Sequence, residues 1–152
     1  MKNEEKKRQI IDICKKEIEK RISIQTEAMN DAQETANKYK GAMESRYDTF
    51  KEEAQQRRDG HAKQIDTLLK QKSALMNAGQ SLNTRAEFGS VIEADEEIYF
   101  LCFSISDDEL RFNEKELITL REDTPLGVAM KGREKGDTVK LNGYEFTIRE
   151  IY

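Results

Sequence analysis

Proline occurs once in these 152 residues, tryptophan is absent, histidine occurs once and cysteine twice. Each scarcity removes a class of explanation. With His61 as the single imidazole, a Cys/His/His condensing site and a triad drawing on a second histidine are excluded. Cys14 and Cys102 show neither CxxC spacing nor a Cys/His cluster, so no disulfide framework or zinc site is implied, and reduced thiols in a cytosol are the plain reading. The charged N-terminus is not followed by an apolar stretch long enough for a signal or a membrane span, so a cytoplasmic protein is expected. Hydrophobic residues are also few, 36% against 37% charged, which leaves a single compact core poorly filled. One extended module joined to one small globular module fits better.

Charge divides the chain in the same way. Residues 1–79 carry 17 Lys/Arg against 14 Asp/Glu, whereas residues 80–152 carry 9 against 16. The acidic second part lacks the basic footprint that direct DNA binding requires, and a protein partner with a basic surface suits it better.

From residue 4 to about residue 76 there is no proline, and the glycines are Gly41 and Gly60. Apolar and seam positions recur at steps of three and four. In the first half they are Ile11, Cys14, Ile18, Ile22, Met29, Ala32 and Ala36. In the second they are Tyr47, Phe50, Ala54, Arg57, His61, Gln64, Leu68, Gln71 and Leu75, widened by Ile65, Leu69 and Met76. One helix of this length would run roughly 110 Å at about 1.5 Å per residue and leave that stripe unburied. Folding back buries it, and glycine at 41 accepts a tight reversal. The spacing therefore predicts an antiparallel helical hairpin over residues 1–79 with its tip at about 37–44, and an elongated monomer. A straight parallel coiled-coil dimer is the competing arrangement.

Residues 80–87 read as a linker, and the texture of residues 88–152 is that of strands. Strands are expected at 88–93, 97–106, 138–141 and 144–151, with Asn142-Gly143 as a two-residue hairpin turn. Thr124 caps a short helix over 124–130 with Pro125 in its first position. The run from Lys131 to Gly136 spaces its two glycines like a turn and lacks the Lys-Ser/Thr ending of a phosphate loop. The fold class is thus α+β, a helical hairpin of coiled-coil type followed by a small antiparallel β domain with one helix.

The segment TPLGVAMKGREKGDTVKLNGYEFTIREIY, residues 124–152, resembles the C-terminal signature of the Gre-type transcript cleavage factors, matching it at Thr124, Pro125, Leu126, Gly127, Gly132, Gly136 and Asp137. Phe88-Gly89 resembles the pair that opens that family's β domain. The resemblance covers essentially the whole chain. It implies an FKBP-like β domain that docks on bacterial RNA polymerase, with Thr124, Pro125, Leu126 and Gly127 as docking candidates. It implies a hairpin that enters the secondary channel, where two acidic tip residues share a magnesium ion with the polymerase active site and the polymerase itself hydrolyses the RNA. No stably bound cofactor and no intrinsic catalytic residue are implied, and contact with nascent RNA is indirect.

At the tip the sequence departs from the family pattern Gly-Asp-x-x-Glu-Asn-Ala-Glu-Tyr. With Tyr47 as the aligned tyrosine, Lys40 and Met43 occupy the acidic positions. Glu44 and Asp48, four apart, are then the acidic and metal-binding candidates, or else ordinary charges at a helix start. Lys38, Lys40 and Arg46 make the tip basic. A rival register takes Asp31 and Glu34 as the acidic pair. The expected role is a polymerase-binding elongation factor or regulator that does not depend on classical cleavage stimulation. Two alternatives stand beside it. One is a peptidyl-prolyl isomerase or chaperone using the aromatic residues of the β domain, and the other is a coiled-coil interaction scaffold.

Overall fold

A computed structural model describes residues 1–38 and 45–152; residues 39–44 and the side chains of 45–48 lie outside the described residues. Two long helices lead the chain, α1 (Asn3–Lys38) and α2 (Ser45–Ala78). At 36 and 34 residues they extend about 54 and 51 Å. The chain forms two compact units, one of residues 18–72 and one joining residues 1–17 to 73–152.

In the unit of residues 18–72 the helices run antiparallel. Glu19 pairs with Lys72 at 3.0 Å, Gln25 Oε1 lies 2.6 Å from His61 Nδ1, and Arg58 donates to Gln33 at 2.7 Å. Partner numbers rise along α1 as they fall along α2, which is the expected hairpin. The seam of α1 follows the sequence stripe, with Ile18, Ala32 and Ala36 buried. The α2 seam differs by a fraction of a turn. Ala54, His61 and Leu68 face inward as expected, but Arg58 and Ile65 take the places assigned to Arg57 and Gln64, which are exposed. Phe50 and Leu69 are about half exposed. A helix of 3.6 residues per turn drifts away from a fixed 3–4 alternation, and the long polar side chains at 57 and 64 follow the drift into water.

In the other unit, β1 (Val91–Glu93), β2 (Glu97–Leu101), β3 (Leu110–Phe112), β4 (Lys115–Leu120) and β7 (Glu150–Ile151) form a sheet in the order β3-β4-β2-β1-β7. β5 (Thr138–Leu141) and β6 (Tyr144–Thr147) pair as a separate ribbon, and α3 (Pro125–Met130) precedes them. The sheet is mixed rather than wholly antiparallel, because β2 and β4 run parallel with Glu97 opposite Glu116 and Leu101 opposite Leu120. A parallel pair needs a crossover, and the β3 excursion supplies it. The turn from β3 to β4 holds Asn113 and Glu114 at φ 50° and 66°, the left-handed pair that a two-residue hairpin requires.

Successive residues of β2 point to opposite faces, and Ile98, Tyr99, Phe100 and Leu101 are all buried. One face joins Ile92, Tyr99, Leu101 and Leu120 to Met130 of α3 and to Val139 and Ile148. On the other lie Val91, Ile98, Phe100 and Leu117, toward the base of α1: Lys6 reaches Glu93 at 3.3 Å and lies 5.9 Å from the Tyr152 ring. Residues 80–87, expected as a linker, are held in place. Ala86 is buried and exchanges backbone hydrogen bonds with Gly132 and Arg133. Lys7, 1% exposed, donates to Ser81 O at 2.8 Å and Asn83 Oδ1 at 2.7 Å. The last turn of α2 holds no basic residue, so Lys7 of α1 supplies the cation that a helix C-terminus favours.

Two outcomes follow from these placements. A Cβ at Gly60, exposed in mid-α2, would meet nothing within 4 Å, so Gly60→Ala should stabilise the protein by about 0.5–1 kcal/mol in urea unfolding. Burial pulls the Lys7 ammonium down from 10.5 to about 8, against the field of Glu87. A folded-state value below the unfolded one means that the unfolded chain binds more protons between these values, so stability should rise from about pH 8 toward 10.5. The urea midpoint of the wild type should therefore climb relative to that of Lys7→Met across this window.

Candidate functional site

Two regions carry the residues singled out in the sequence. At the hairpin end, Lys38 is the last residue of α1 and is exposed, a cation where the helix dipole favours one. Lys40 and Glu44 lie outside the described residues, as does the expected tip beyond Lys38. Arg46 and Asp48 belong to the first turn of α2, with their side chains outside the described residues. Asp31 and Glu34 are exposed residues in the continuous body of α1; the Asp31 carbonyl accepts the Thr35 hydroxyl at 3.1 Å. Among the described residues no group of three or more His, Cys, Asp or Glu could hold a metal ion, and no helix is long and apolar enough to cross a membrane.

The second region is α3 and the turn after it, where each signature residue has a mechanical task. The Thr124 hydroxyl accepts from Gly127 N at 3.1 Å and donates to Arg121 O at 2.8 Å, closing the helix start over Pro125. Gly127 is required by close approach: a Cβ there would stand 2.3 Å from the Arg121 carbonyl oxygen and 2.8 Å from that of Glu122. Leu126 packs against the core. Gly132 and Gly136 adopt φ of 79° and 91°, and the Asp137 carboxylate accepts from Glu134 N at 2.8 Å. Of the four docking candidates, Thr124, Leu126 and Gly127 therefore serve the fold, and Pro125 is exposed. Val128, 62% exposed on α3, adds an outward apolar group that the sequence reading missed. Its position three residues after Pro125 was the available signal.

A polar cluster also went unread. Tyr99 and Tyr144 both donate their hydroxyls to the Glu97 carboxylate, the latter at 2.5 Å. Burial first, then the Glu97 contact, holds the Tyr99 phenol well above its usual range; for Tyr144 the Glu97 contact leads. The aromatic residues needed for a proline-binding pocket are largely spent on packing, since Tyr99, Phe100, Phe112 and Tyr152 are all buried. The two thiols are free and buried, and burial pushes Cys102 up to about 12, which leaves it unreactive.

Comparison with known proteins gives a likeness of layout. No family model matches the sequence, and no curated protein does. Two solved structures align along most of the chain. One is GreA factor homolog 1 (Gfh1) of Thermus thermophilus, 18% identical over 91% of this chain and 94% of that one, with a TM-score of 0.37. The other is the transcription factor Gfh1, 17% identical over 91% of this chain and 92% of that one, also at 0.37. Scores this low leave fold and function to be argued from this chain's own residues.

The Gly127 contact yields a sharp expectation. Gly127→Ala forces two carbonyls apart and should cost about 1–3 kcal/mol or more in thermal or urea unfolding, whereas Thr124→Ala should cost only about 1 kcal/mol. Equal effects would show that the close approach is not what selects glycine.

Proposed function

We propose that this chain is a transcription elongation factor or regulator that binds RNA polymerase and works through the secondary channel. The observation that carries the reading is the 124–137 signature. Every matched residue from Thr124 to Asp137 performs a structural task that its type is needed for: cap, first-turn proline, close-approach glycine, two left-handed glycines and a turn carboxylate. A match held together by such tasks is more specific than a string of common residues. The helical hairpin ahead of a small β domain supports the same reading.

In this reading the β domain, FKBP-like by the resemblance, docks on the polymerase through the exposed side of α3, and the hairpin reaches into the channel. The factor lends groups to the polymerase and is not itself an enzyme. Glu44 and Asp48 help to hold a magnesium ion shared with the polymerase active site, while Lys38, Lys40 and Arg46 face phosphates of the nascent RNA. The supplied ion would favour attack of water on the 3′-terminal phosphodiester, the two-metal pattern of phosphoryl transfer. The protein acts in the cytoplasm as an elongated monomer.

The test uses core polymerase stalled on a backtracked transcript. Adding the protein should shorten the RNA from its 3′ end, and Glu44→Ala with Asp48→Ala should remove that activity while leaving association with polymerase intact. Association without shortening, for the wild type, would assign a regulator that occupies the channel. Failure to associate would end the reading.

A further inference from the structure

Beside the buried ammonium of Lys7 lies an open cavity of about 260 Å³, lined by Glu4, Lys7, Arg8, Gln80, Ser81 and their neighbours. Buried charges are ordinarily met by an opposite charge, yet the two acceptors on Lys7 Nζ are neutral, Ser81 O and Asn83 Oδ1. The nearest carboxylate in this network, Glu87, is one step removed, accepting from Asn83 Nδ2 at 2.7 Å. An ammonium has three protons, so one remains beyond these two bonds. Among the described residues, the Arg8 guanidinium, the Gln80 amide and the Ser81 hydroxyl have no hydrogen-bond or ion-pair partner. Cation, fork-shaped donor, amide and hydroxyl converge on one space.

We propose that this cavity binds a small oxyanion of the phosphate class, free or as a simple ester, with Lys7 and Arg8 supplying the charge and Ser81 and Gln80 the remaining donors. The volume sits just below the roughly 300–1,000 Å³ of ordinary ligand pockets, which suits a group of this size. Glu4 at the rim and the carbonyl end of α2 oppose high charge, so the site selects a single phosphate over a polyphosphate. The depressed Lys7 value, about 8 in the free protein, is consistent with a cation short of a counter-charge, and a bound anion raises it.

The experiment titrates the isotope-labelled full chain with inorganic phosphate and, separately, with phenyl phosphate, each against potassium chloride at matched ionic strength. Amide shifts should concentrate at residues 79–82, and the Lys7 side-chain titration should move to higher pH. Arg8→Glu, a change at an exposed position that leaves the fold alone, should weaken binding about tenfold or more. Response to inorganic phosphate alone assigns the free ion, and response to phenyl phosphate as well assigns an ester. The proposal is overturned if neither compound shifts residues 79–82 at about 20 mM beyond the chloride control, or if Arg8→Glu leaves the affinity unchanged.

Discussion

A sheet whose central strand is apolar on both sides has to be covered twice. Ile98, Tyr99, Phe100 and Leu101 leave β2 no solvent face, so the fold depends on finding two lids. α3 with the β5–β6 ribbon is one, and the base of the long helices is the other. At about 25 cal/mol per Å² of apolar area removed from water, neither face could be left open by a domain of this size. Lys6, Lys7, Ile10 and Cys14 thus belong to the globular unit although they sit in a helix that continues well beyond it. The polar anchors of that lid, Lys6 on Glu93 and Lys7 on Ser81 and Asn83, orient it.

The same constraint explains how the signature is used. α3 has only six residues, too few to hold a helix by its own hydrogen bonds, so its ends are fixed by capping and by tight packing of Gly127 under the preceding carbonyls. What remains outward is small and apolar, Pro125 and Val128, on a domain of acidic balance. That pairing of a rigid short helix with an exposed apolar edge is the physical content of the proposed docking surface.

Much of this was legible in the residues. The absence of proline, the 3–4 spacing and Asn142-Gly143 pointed to the hairpin and the final turn, and Thr124-Pro125 marked the start of α3. The rest needed tertiary information. β3 and β4 went unread because Asn113-Glu114 takes left-handed angles without a glycine to announce them. The stretch 144–151 looks like one strand, yet its two ends pair in different sheets, a choice made by the core around Ile148. The stretch 80–87 is polar enough for a linker, and its anchoring rests on Lys7 and Arg133, which lie far from it in sequence. In the candidate site the roles of Gly127 and Asp137 became clear only from the backbone atoms around them, while Glu44 and Lys40 rest on sequence alone.

The central claim is that the hairpin end reaches the polymerase active site. It is tested most directly by placing a photo-crosslinking residue at position 40 and irradiating the protein with a backtracked complex whose RNA is labelled at its 3′ end. The account predicts transfer of the label to the protein, lost when the same crosslinker is placed in mid-hairpin at position 24. No transfer at saturating protein would contradict it.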